Sequence, residues 1–492
     1  MGRVQLTAGV LTAVVAAVLA PVALAGTGLP HSTGGQALPP APGVGISRNF
    51  DAEPGLAIDG GGTVWIAGDI SPNETTDARS SGKLLTGEDV WRSTDGGRHF
   101  SWVASPLSTL ARKNPGLGGE DTDMAAATVK NSAGFYNVYA VSLWLGATAI
   151  AYSQDGGRTW SVQYLGGVPA QDRPWVAASG ACTVDLLYHQ LPAFEPVLNT
   201  YNLCSPTSDT IGASIDPVSS AVVFEDQVAG NSFNKLVVDN SPRSRTRGNI
   251  YVPLDLCDAG GSPVTVAQET ATSCAKTTHA VGVSSDGGRI FHVHLVAPSP
   301  DPALPVWGST VGVDAAGTVY FAWEGKDQTY LSSSRNGGTT WSAPRRVNLP
   351  PARTTVYPTV AGGAAGQVSL AWYGTNATGG HDQAARMGKP GSAHGAAWYV
   401  FLATSTDSGR TWHQDRMTGV IHLGLVCTGG STCNGLDGDR NLYDDFGVAI
   451  SPRTGLTSIA YTSDGGHAAQ DASFVGYVSE RCRLGAAGCR PG

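Results

Sequence analysis

Short runs of alternating apolar and polar residues recur along the chain, and a glycine precedes many of them. Clear examples are "GTVWIAG" at 62–68, "GNIYVPL" at 248–254, "GTVYFAW" at 317–323 and "GQVSLAWYG" at 366–374. A period of two is typical of β-strands. Runs that favour helices are nearly absent, so the pattern predicts an all-β protein.

A second pattern repeats between these strands. It is a Ser-x-Asp-Gly-Gly-x-Thr-Trp turn, seen most fully in "IAYSQDGGRTWS" at 150–161. The acidic side chain can accept hydrogen bonds from the amides of its own turn, and the glycines can take the positive φ of a tight hairpin. We therefore predict a structural role for the five residues at this position: Asp95, Asp155, Asp286, Asn336 and Asp407.

Seven strand openings between residues 51 and 482 divide the chain into units of about sixty residues, the length of a four-stranded antiparallel sheet with its loops. Such sheets repeated around an axis form a β-propeller. Seven blades are favoured, with six as the alternative, and a stacked β-sandwich or β-helix is the rival architecture. One unit, around 171–231, lacks the turn motif.

The ends of the chain and its cysteines indicate export. Residues 1–25 have an early Arg, a long apolar run and a small-x-small end at Ala25, which predict a signal peptide and a secreted protein. Residues 26–50 are rich in Gly and Pro and are expected to be a linker before a single domain at 51–492. Eight cysteines fall as four local pairs, for which we expect nearest-neighbour disulfides: Cys182 and Cys204, Cys257 and Cys274, Cys427 and Cys433, Cys482 and Cys489.

Charge narrows the range of partners. The chain has 31 basic and 39 acidic residues and a pI near 5.7, which gives no electrostatic basis for binding nucleic acid. Beyond the signal peptide we expect no membrane segment, and we expect a monomer.

The repeated turn resembles the Asp-box, or bacterial neuraminidase repeat, of sialidases and other propellers. The resemblance covers most of residues 51–480 and implies that the turns lie on outer strands, away from the substrate face. A sialidase also needs three arginines for the sialate carboxylate, a Tyr activated by a Glu, and an Asp acid/base. The Phe/Tyr-Arg-Ile-Pro segment that supplies the first arginine is absent, and "GISRNFDAEP" stands there, with Arg48.

Similarity also extends to a group of exported, sialidase-like bacterial propellers. The motifs that carry it are Glu53-Pro54, Gly118–Asp123, Asp172–Trp175, His422-Leu423-Gly424, the Cys427 to Cys433 loop and Arg440–Phe446. This resemblance implies an exported propeller and does not by itself imply a reaction.

Charged and tyrosine residues stand where the innermost strands begin, and in a propeller such positions converge on the channel mouth. We expect catalytic candidates at Asp123, Tyr357, Tyr443 and Asp444, and substrate-binding candidates at Arg173, Arg440, Glu53, Asp121 and Asp172, with Asp445 nearby.

Three interpretations of this mouth remain open. In the first, the carboxylates pair with the two arginines and seal the channel. In the second, the mouth binds or hydrolyses an extracellular glycan or glycoconjugate. In the third, calcium binds Glu53, Asp121, Asp123 and Asp444, although no cofactor is firmly indicated. The leading hypothesis is a propeller that acts on or binds extracellular carbohydrate, with an exo-α-sialidase as its catalytic form, and the alternative is a non-catalytic carbohydrate- or protein-binding propeller.

Overall fold

The computed structural model describes a propeller of short antiparallel strands. The described residues are 29, 31–42, 49–70, 88–104, 106, 120–144, 147–164, 171–190, 195–203, 223–224, 231–257, 277–299, 309–428, 433, 440–444, 446–466, 473–485 and 489. Within them the strands form seven sheets, so the prediction of an all-β fold with seven blades is confirmed and the six-bladed alternative is excluded.

The first two blades each have four strands. Blade 1 contains β2 (Asp51–Ile58), β3 (Val64–Ile70), β4 (Glu88–Ser93) and β5 (Ser101–Ala104). Blade 2 contains β6 (Glu120–Ala126), β7 (Val138–Trp144), β8 (Ala147–Ser153) and β9 (Ser161–Tyr164).

The next two blades depart from four strands. Blade 3 contains β10 (Gln171–Ser179), β11 (Thr183–Gln190) and β12 (Glu195–Asn202), and it is the unit without the turn motif. Blade 4 contains β13 (Val223–Phe224), β14 (Asn231–Phe233), β15 (Val237–Val238), β16 (Ile250–Cys257), β17 (Thr277–Ser284) and β18 (Ile290–Pro298). The short strand β13 runs parallel to β18 at the outer edge.

The last three blades complete the ring. Blade 5 contains β19 (Ser309–Val313), β20 (Val319–Gly325), β21 (Gln328–Ser334) and β22 (Arg345–Arg346). Blade 6 contains β23 (Thr354–Gly362), β24 (Val368–Thr375), a short helix α1 (Ala384–Met387), β25 (Ala397–Ser405), β26 (His413–Arg416) and β27 (His422–Leu423). Blade 7 contains β28 (Gly447–Ile450), β29 (Thr457–Ser463) and β30 (Phe474–Ser479).

The innermost strands contact one another in the order β2, β6, β10, β15, β19, β23 and β28, and β28 contacts β2 again. Apolar side chains fill the space between neighbouring blades: Tyr139 of blade 2 packs in one cluster with Val176 of blade 3, and Tyr320 of blade 5 packs with Leu370 of blade 6. Burial of these interblade faces is what stabilises a ring of sheets.

Blade 7 is closed by a strand from the other end of the chain. Strand β1 (Gln36–Ala37) pairs with β30, with Gln36 opposite Tyr477, and Leu38 beside it is only 1% exposed. Residues 26–50 are therefore not a linker throughout. A two-residue strand is too short to show a period of two in the sequence, so the pattern could not reveal it.

The repeated turns connect the third and fourth strands of their blades. In blade 2 the Asp155 carboxylate accepts from the amides of Arg158 and Thr159, each at 3.0 Å, and from the Ser153 hydroxyl at 2.9 Å. Asp95, Asp286, Asn336 and Asp407 accept equivalent bonds in their own turns. These contacts agree with the predicted structural role.

Two of the four predicted disulfides are present, Cys427–Cys433 and Cys482–Cys489. Cys182 is buried, but Cys204, Cys274 and the side chain of Cys257 lie outside the described residues, so these two pairings stay predictions. The predicted signal peptide also lies outside them. In the part of the chain that the structure describes, no helix has the length and apolar character needed to cross a membrane.

Candidate active site at the channel mouth

Four of the innermost strands begin with the same irregularity. Each has one extra residue relative to its partner strand, which makes a β-bulge and redirects a side chain. In three of them the bulge contains a proline, which has no N–H to donate to the ladder. The extra residue lies between Ala52 and Gly55 in β2, Glu120 and Asp123 in β6, Asp172 and Trp175 in β10, and Val356 and Thr359 in β23.

Each bulge holds a non-glycine residue in the left-handed region. The φ angles are +44° for Glu53, +52° for Asp121, +49° for Arg173 and +53° for Tyr357, and Tyr443 before β28 has +54°. Non-glycine residues rarely adopt this conformation, and it is concentrated at functional sites. All five were predicted as mouth residues from the sequence.

Arg173 joins the first two blades to the third. Its guanidinium donates from one nitrogen to Glu53 Oε2 at 2.5 Å and to Asp121 Oδ1 at 2.7 Å. The side chains of Arg173 and Glu53 are 4% and 2% exposed, whereas that of Asp121 is 15% exposed. The innermost part of this ion-pair group is therefore shielded from solvent.

Glu53 also contacts a second group of polar side chains, which come from blades 6 and 7. Its Oε1 lies 3.5 Å from a terminal nitrogen of Arg440, which forms a short ion pair with Asp444. The Tyr357 hydroxyl lies 3.4 Å from Asp444 Oδ1, and the Arg440 guanidinium stacks 5.6 Å from the ring centre of Tyr443. We call six of these residues the mouth cluster: Glu53, Asp121, Arg173, Tyr357, Arg440 and Asp444.

Burial perturbs two groups of the mouth cluster. Burial is the largest of the effects that together raise the pKa of Glu53 to about 8. Arg173 and Arg440 oppose this rise, and Asp121 and Asp444 add to it. Burial and then the Asp444 carboxylate raise the pKa of Tyr357 well above 10. Both groups therefore carry their protons at neutral pH. Perturbed acids that meet in one place are typical of catalytic sites.

Two other predicted residues do not join the mouth cluster. Asp123 lies one step below the bulge, where its Oδ1 pairs with Lys235 Nζ at 2.5 Å and its Oδ2 accepts from the Val176 amide at 3.0 Å. Its predicted catalytic role is not supported, because both oxygens are engaged in structural contacts. The backbone of Asp172 starts β10, but its side chain, like Arg48 and Asp445, lies outside the described residues.

The predicted calcium site is not formed either. Its four carboxylates are held by three different cations: Glu53 and Asp121 share Arg173, Asp123 pairs with Lys235, and Asp444 pairs with Arg440. A calcium site needs six to eight oxygens directed at one point. Charge neutralisation by arginine and lysine takes the place that a cation would have.

A second polar group on the same face was not predicted from the sequence. Glu324 and Asp327 lie at the β20–β21 turn, and His381 lies in the loop between β24 and β25. His381 Nδ1 is 2.6 Å from Asp327 Oδ1. The Glu324 carboxylate also raises the pKa of the Tyr357 phenol, although its effect is smaller than those of burial, Asp444 and Arg440. Only the folded structure brings these loops together.

A cavity of about 830 Å³ follows the axis below the mouth cluster. Its wall includes Thr122, Asp123 and Lys235 near the mouth, and turns such as Ala315 and Pro452 at the opposite end. None of the six mouth-cluster residues lines it. The mouth cluster therefore lies outside the axial cavity, beside the part of its wall formed by Pro54, Thr122 and Asp123.

No protein-family model and no curated protein match the chain, but many solved structures do. A protein of unknown function from Dyadobacter fermentans is 12% identical, with a TM-score of 0.43 over 92% of this chain and 100% of that one. A leech intramolecular trans-sialidase in complex with 2,7-anhydro-Neu5Ac is 15% identical, with a TM-score of 0.40 over 88% and 68%. The Aleuria aurantia lectin is 10% identical, with a TM-score of 0.39 over 75% and 96%. The chain is thus similar to sialidase and lectin propellers, and this likeness is too distant to assign the mouth cluster a role.

Proposed function

We propose that the protein is an exported glycoside hydrolase that acts on an extracellular glycan at the mouth cluster. The observation that carries this proposal is the contact between the Tyr357 hydroxyl and Asp444 Oδ1, at 3.4 Å. A buried phenol beside a carboxylate can act as a nucleophile and its base, which is the tyrosine variant of glycoside hydrolysis.

In the first step Tyr357 Oη attacks the anomeric carbon and passes its proton to Asp444. The phenol is neutral before attack because burial and Asp444 hold its pKa well above 10. The carboxylate must therefore take the proton as the new carbon–oxygen bond forms.

The leaving oxygen needs a proton as the glycosidic bond breaks, and Glu53 can supply it. Burial raises the pKa of Glu53 to about 8, so this carboxyl is protonated at neutral pH. In the second step its carboxylate takes a proton from the water that attacks the glycosyl-tyrosine. Tyr357 then recovers its own proton from Asp444, and the site returns to its starting state.

The charges of the mouth cluster affect which substrates, neutral or acidic, it can bind. Its two guanidinium groups face three carboxyl groups, so with Glu53 protonated the cluster is neutral. Arg440 is the more exposed arginine, at 29% of its side chain, and its buried Nε has no hydrogen-bond partner among the described residues. Both guanidinium groups contact carboxyl groups of the cluster, and Arg440, as the more exposed of the two, is the arginine that an acidic sugar would reach first.

A second function, glycan binding without hydrolysis, is favoured by that same Arg173. Its side chain is 4% exposed and pairs with both Glu53 and Asp121. A sialidase clamp requires arginines that turn their guanidinium groups toward the substrate carboxylate. Here that geometry would require breaking the contacts of Arg173 with Glu53 and Asp121, which would leave a largely buried guanidinium without its partners.

Hydrolysis of fluorogenic glycosides, first an α-sialoside and then a panel of neutral glycosides, tests the proposal. We expect Tyr357→Phe to lower kcat by about a thousandfold or more, because it removes the nucleophile. Tyr399→Phe is the matched control, because Tyr399 lies on the third strand of blade 6 and stacks on Arg416 instead.

Full activity in Tyr357→Phe would exclude the tyrosine mechanism. If the wild-type protein hydrolyses none of the glycosides but binds a glycan on an array, the non-catalytic function replaces this one. Binding that Arg440→Ala abolishes would then place the ligand at the mouth.

A further inference from the structure

The turn between β20 and β21 is unusual on this face of the propeller. Gly325 pairs with Gln328, so the turn has only two residues, Lys326 and Asp327, with φ of +51° and +59°. Two-residue hairpin turns favour Asn and Gly at such positions. Here the turn presents the Asp327 carboxylate to the neighbouring blade.

His381 of blade 6 receives that carboxylate. Its Nδ1 lies 2.6 Å from Asp327 Oδ1 and 3.8 Å from Glu324 Oε1. The three candidate ligand atoms all lie within 4.8 Å of one another, and Glu324 is buried. One imidazole and two carboxylates from two blades therefore meet at one point.

The other ring nitrogen of His381 has a separate partner. Its Nε2 lies 3.0 Å from the Thr428 hydroxyl. When Nε2 carries a hydrogen and donates it to Thr428, the Nδ1 lone pair is directed at the two carboxylates. A histidine that binds a metal is typically held in this way, with its second nitrogen hydrogen-bonded to a neighbouring group.

We infer that Glu324, Asp327 and His381 form a site for one divalent transition-metal ion, and that zinc is the ion that suits it best. Zinc accepts imidazole and carboxylate ligands at about 2.0–2.2 Å, which places tetrahedral ligand atoms about 3.3 Å apart. The observed separations of 2.6 and 3.8 Å lie on either side of that value. All three ligand atoms lie within 4.8 Å of one another, so small side-chain adjustments would complete three ligands of a tetrahedron and leave the fourth position open.

Binding replaces a proton. His381 Nδ1 and Asp327 Oδ1 are 2.6 Å apart, and the metal takes the place of this direct contact and binds Nδ1 in its unprotonated form. The inference goes beyond the proposed hydrolysis and does not rest on it, because the metal is measured on the protein without substrate. Zinc can bind to a protein that binds no sugar, and an active hydrolase can lack zinc binding, so the two results are distinguishable.

The test is the zinc content of the purified, tag-free protein after equilibration with zinc and dialysis, together with its zinc affinity by calorimetry. We expect one zinc per chain in the wild type. Glu324→Gln and Asp327→Asn, which preserve the shape of the side chain, should weaken zinc binding at least about tenfold, since each removes one charged ligand. His381→Gln should abolish it.

A matched control is available on another blade. His294 lies on β18 two residues from His292, and a surface histidine pair of this kind could bind zinc adventitiously. His294→Gln should leave the stoichiometry unchanged. The melting temperature of every variant without metal shows whether it is folded.

Cobalt substitution gives a second readout. Cobalt(II) should produce the intense visible absorption of tetrahedral coordination in the wild type and lose it in Glu324→Gln. The inference is overturned if the wild-type protein retains no zinc, if folded His381→Gln retains as much, or if His294→Gln removes it.

Discussion

Replacement of Glu53 by Gln tests the electrostatics of the mouth directly. Glu53 is 2% exposed and faces Arg173, Asp121, Arg440 and Asp444. Burial raises its pKa from 4.5 to about 8, so the folded protein holds this proton more tightly than the unfolded chain does. Gln has the same shape and cannot ionise.

The sign of the pH dependence follows from that difference. Below about pH 4.5 the carboxyl is protonated in both states, and its contribution to stability is fully present. As the pH rises toward 8 the unfolded chain releases the proton while the folded protein keeps it, so the free energy of unfolding falls. At about 1.36 kcal/mol for each tenfold change in proton affinity, the loss has an upper limit on the order of 5 kcal/mol.

Urea unfolding followed by tryptophan fluorescence at pH 5, 6, 7, 8 and 9 measures this loss. We expect the variant and the wild type to differ least at pH 5, and Glu53→Gln to gain at least about 1–2 kcal/mol relative to wild type by pH 9. Asp382→Asn, which removes an exposed carboxylate, is the control and should follow the wild-type curve. A difference between wild type and Glu53→Gln that does not change with pH would refute the reasoning.

Three further predictions concern the scaffold. Leu38→Ala should lower the free energy of unfolding by about 2–4 kcal/mol in urea, because it opens a cavity beside the strand that closes blade 7; a change below about 0.5 kcal/mol would contradict that closing role. Asp407→Ala should cost about 1–2 kcal/mol through lost turn hydrogen bonds, whereas Asp407→Asn should cost less, because Asn336 does the same work in blade 5; equal costs would be inconsistent with this. Replacing Cys427 and Cys433 together by Ala should lower the free energy of unfolding by about 2 kcal/mol, as expected for a disulfide that closes a short loop. An unchanged urea midpoint would show that this disulfide does not stabilise the fold.

The propeller was predictable because its units repeat. Each turn motif marks the same step between the third and fourth strands, and "IAYSQDGGRTWS" alone identifies a strand, a turn and the next strand. The absent motif around 171–231 likewise corresponds to blade 3, which has three strands in the part of the chain that the structure describes. Repetition makes a weak local signal strong, since every copy tests the others.

The closing strand was not predictable, for a physical reason. Gln36–Ala37 is held by backbone pairing with β30 and by burial of Leu38, and neither leaves a pattern in a Gly/Pro-rich segment. The extra strands of blade 4 are similar: residues 234–236 separate two short strands, β14 and β15, and both pair with the same neighbour, β16.

The candidate site was predictable in its members and not in its contacts. Glu53, Arg173 and Tyr357 could be located at strand beginnings because the propeller places those positions around one mouth. That Glu53 touches both arginines depends on bulges of one residue, which the sequence does not reveal. Glu324 and His381 were missed because loops from two blades meet only in three dimensions.

Among the described residues, backbone strain is concentrated at the mouth of the propeller. Among the described residues eight non-glycine residues have positive φ, and seven of them are at the mouth or in the Lys326–Asp327 turn. The eighth, Ser408, stands where the other repeated turns have glycine. A non-glycine residue in this conformation lowers the stability of the fold by about 1–3 kcal/mol.

A plug for the channel would not need that cost, since serine or threonine in regular strands could fill the space. The bulges instead turn charged and phenolic side chains of four blades toward one point and hold them there. Glycine at these positions would relieve the strain, but it would also remove the side chain. The strain is therefore explained if the side chain is what each position contributes to the mouth. On this argument the ion pairs of Arg173 and Arg440 position Glu53, Asp444 and Tyr357, and closing the channel is a consequence.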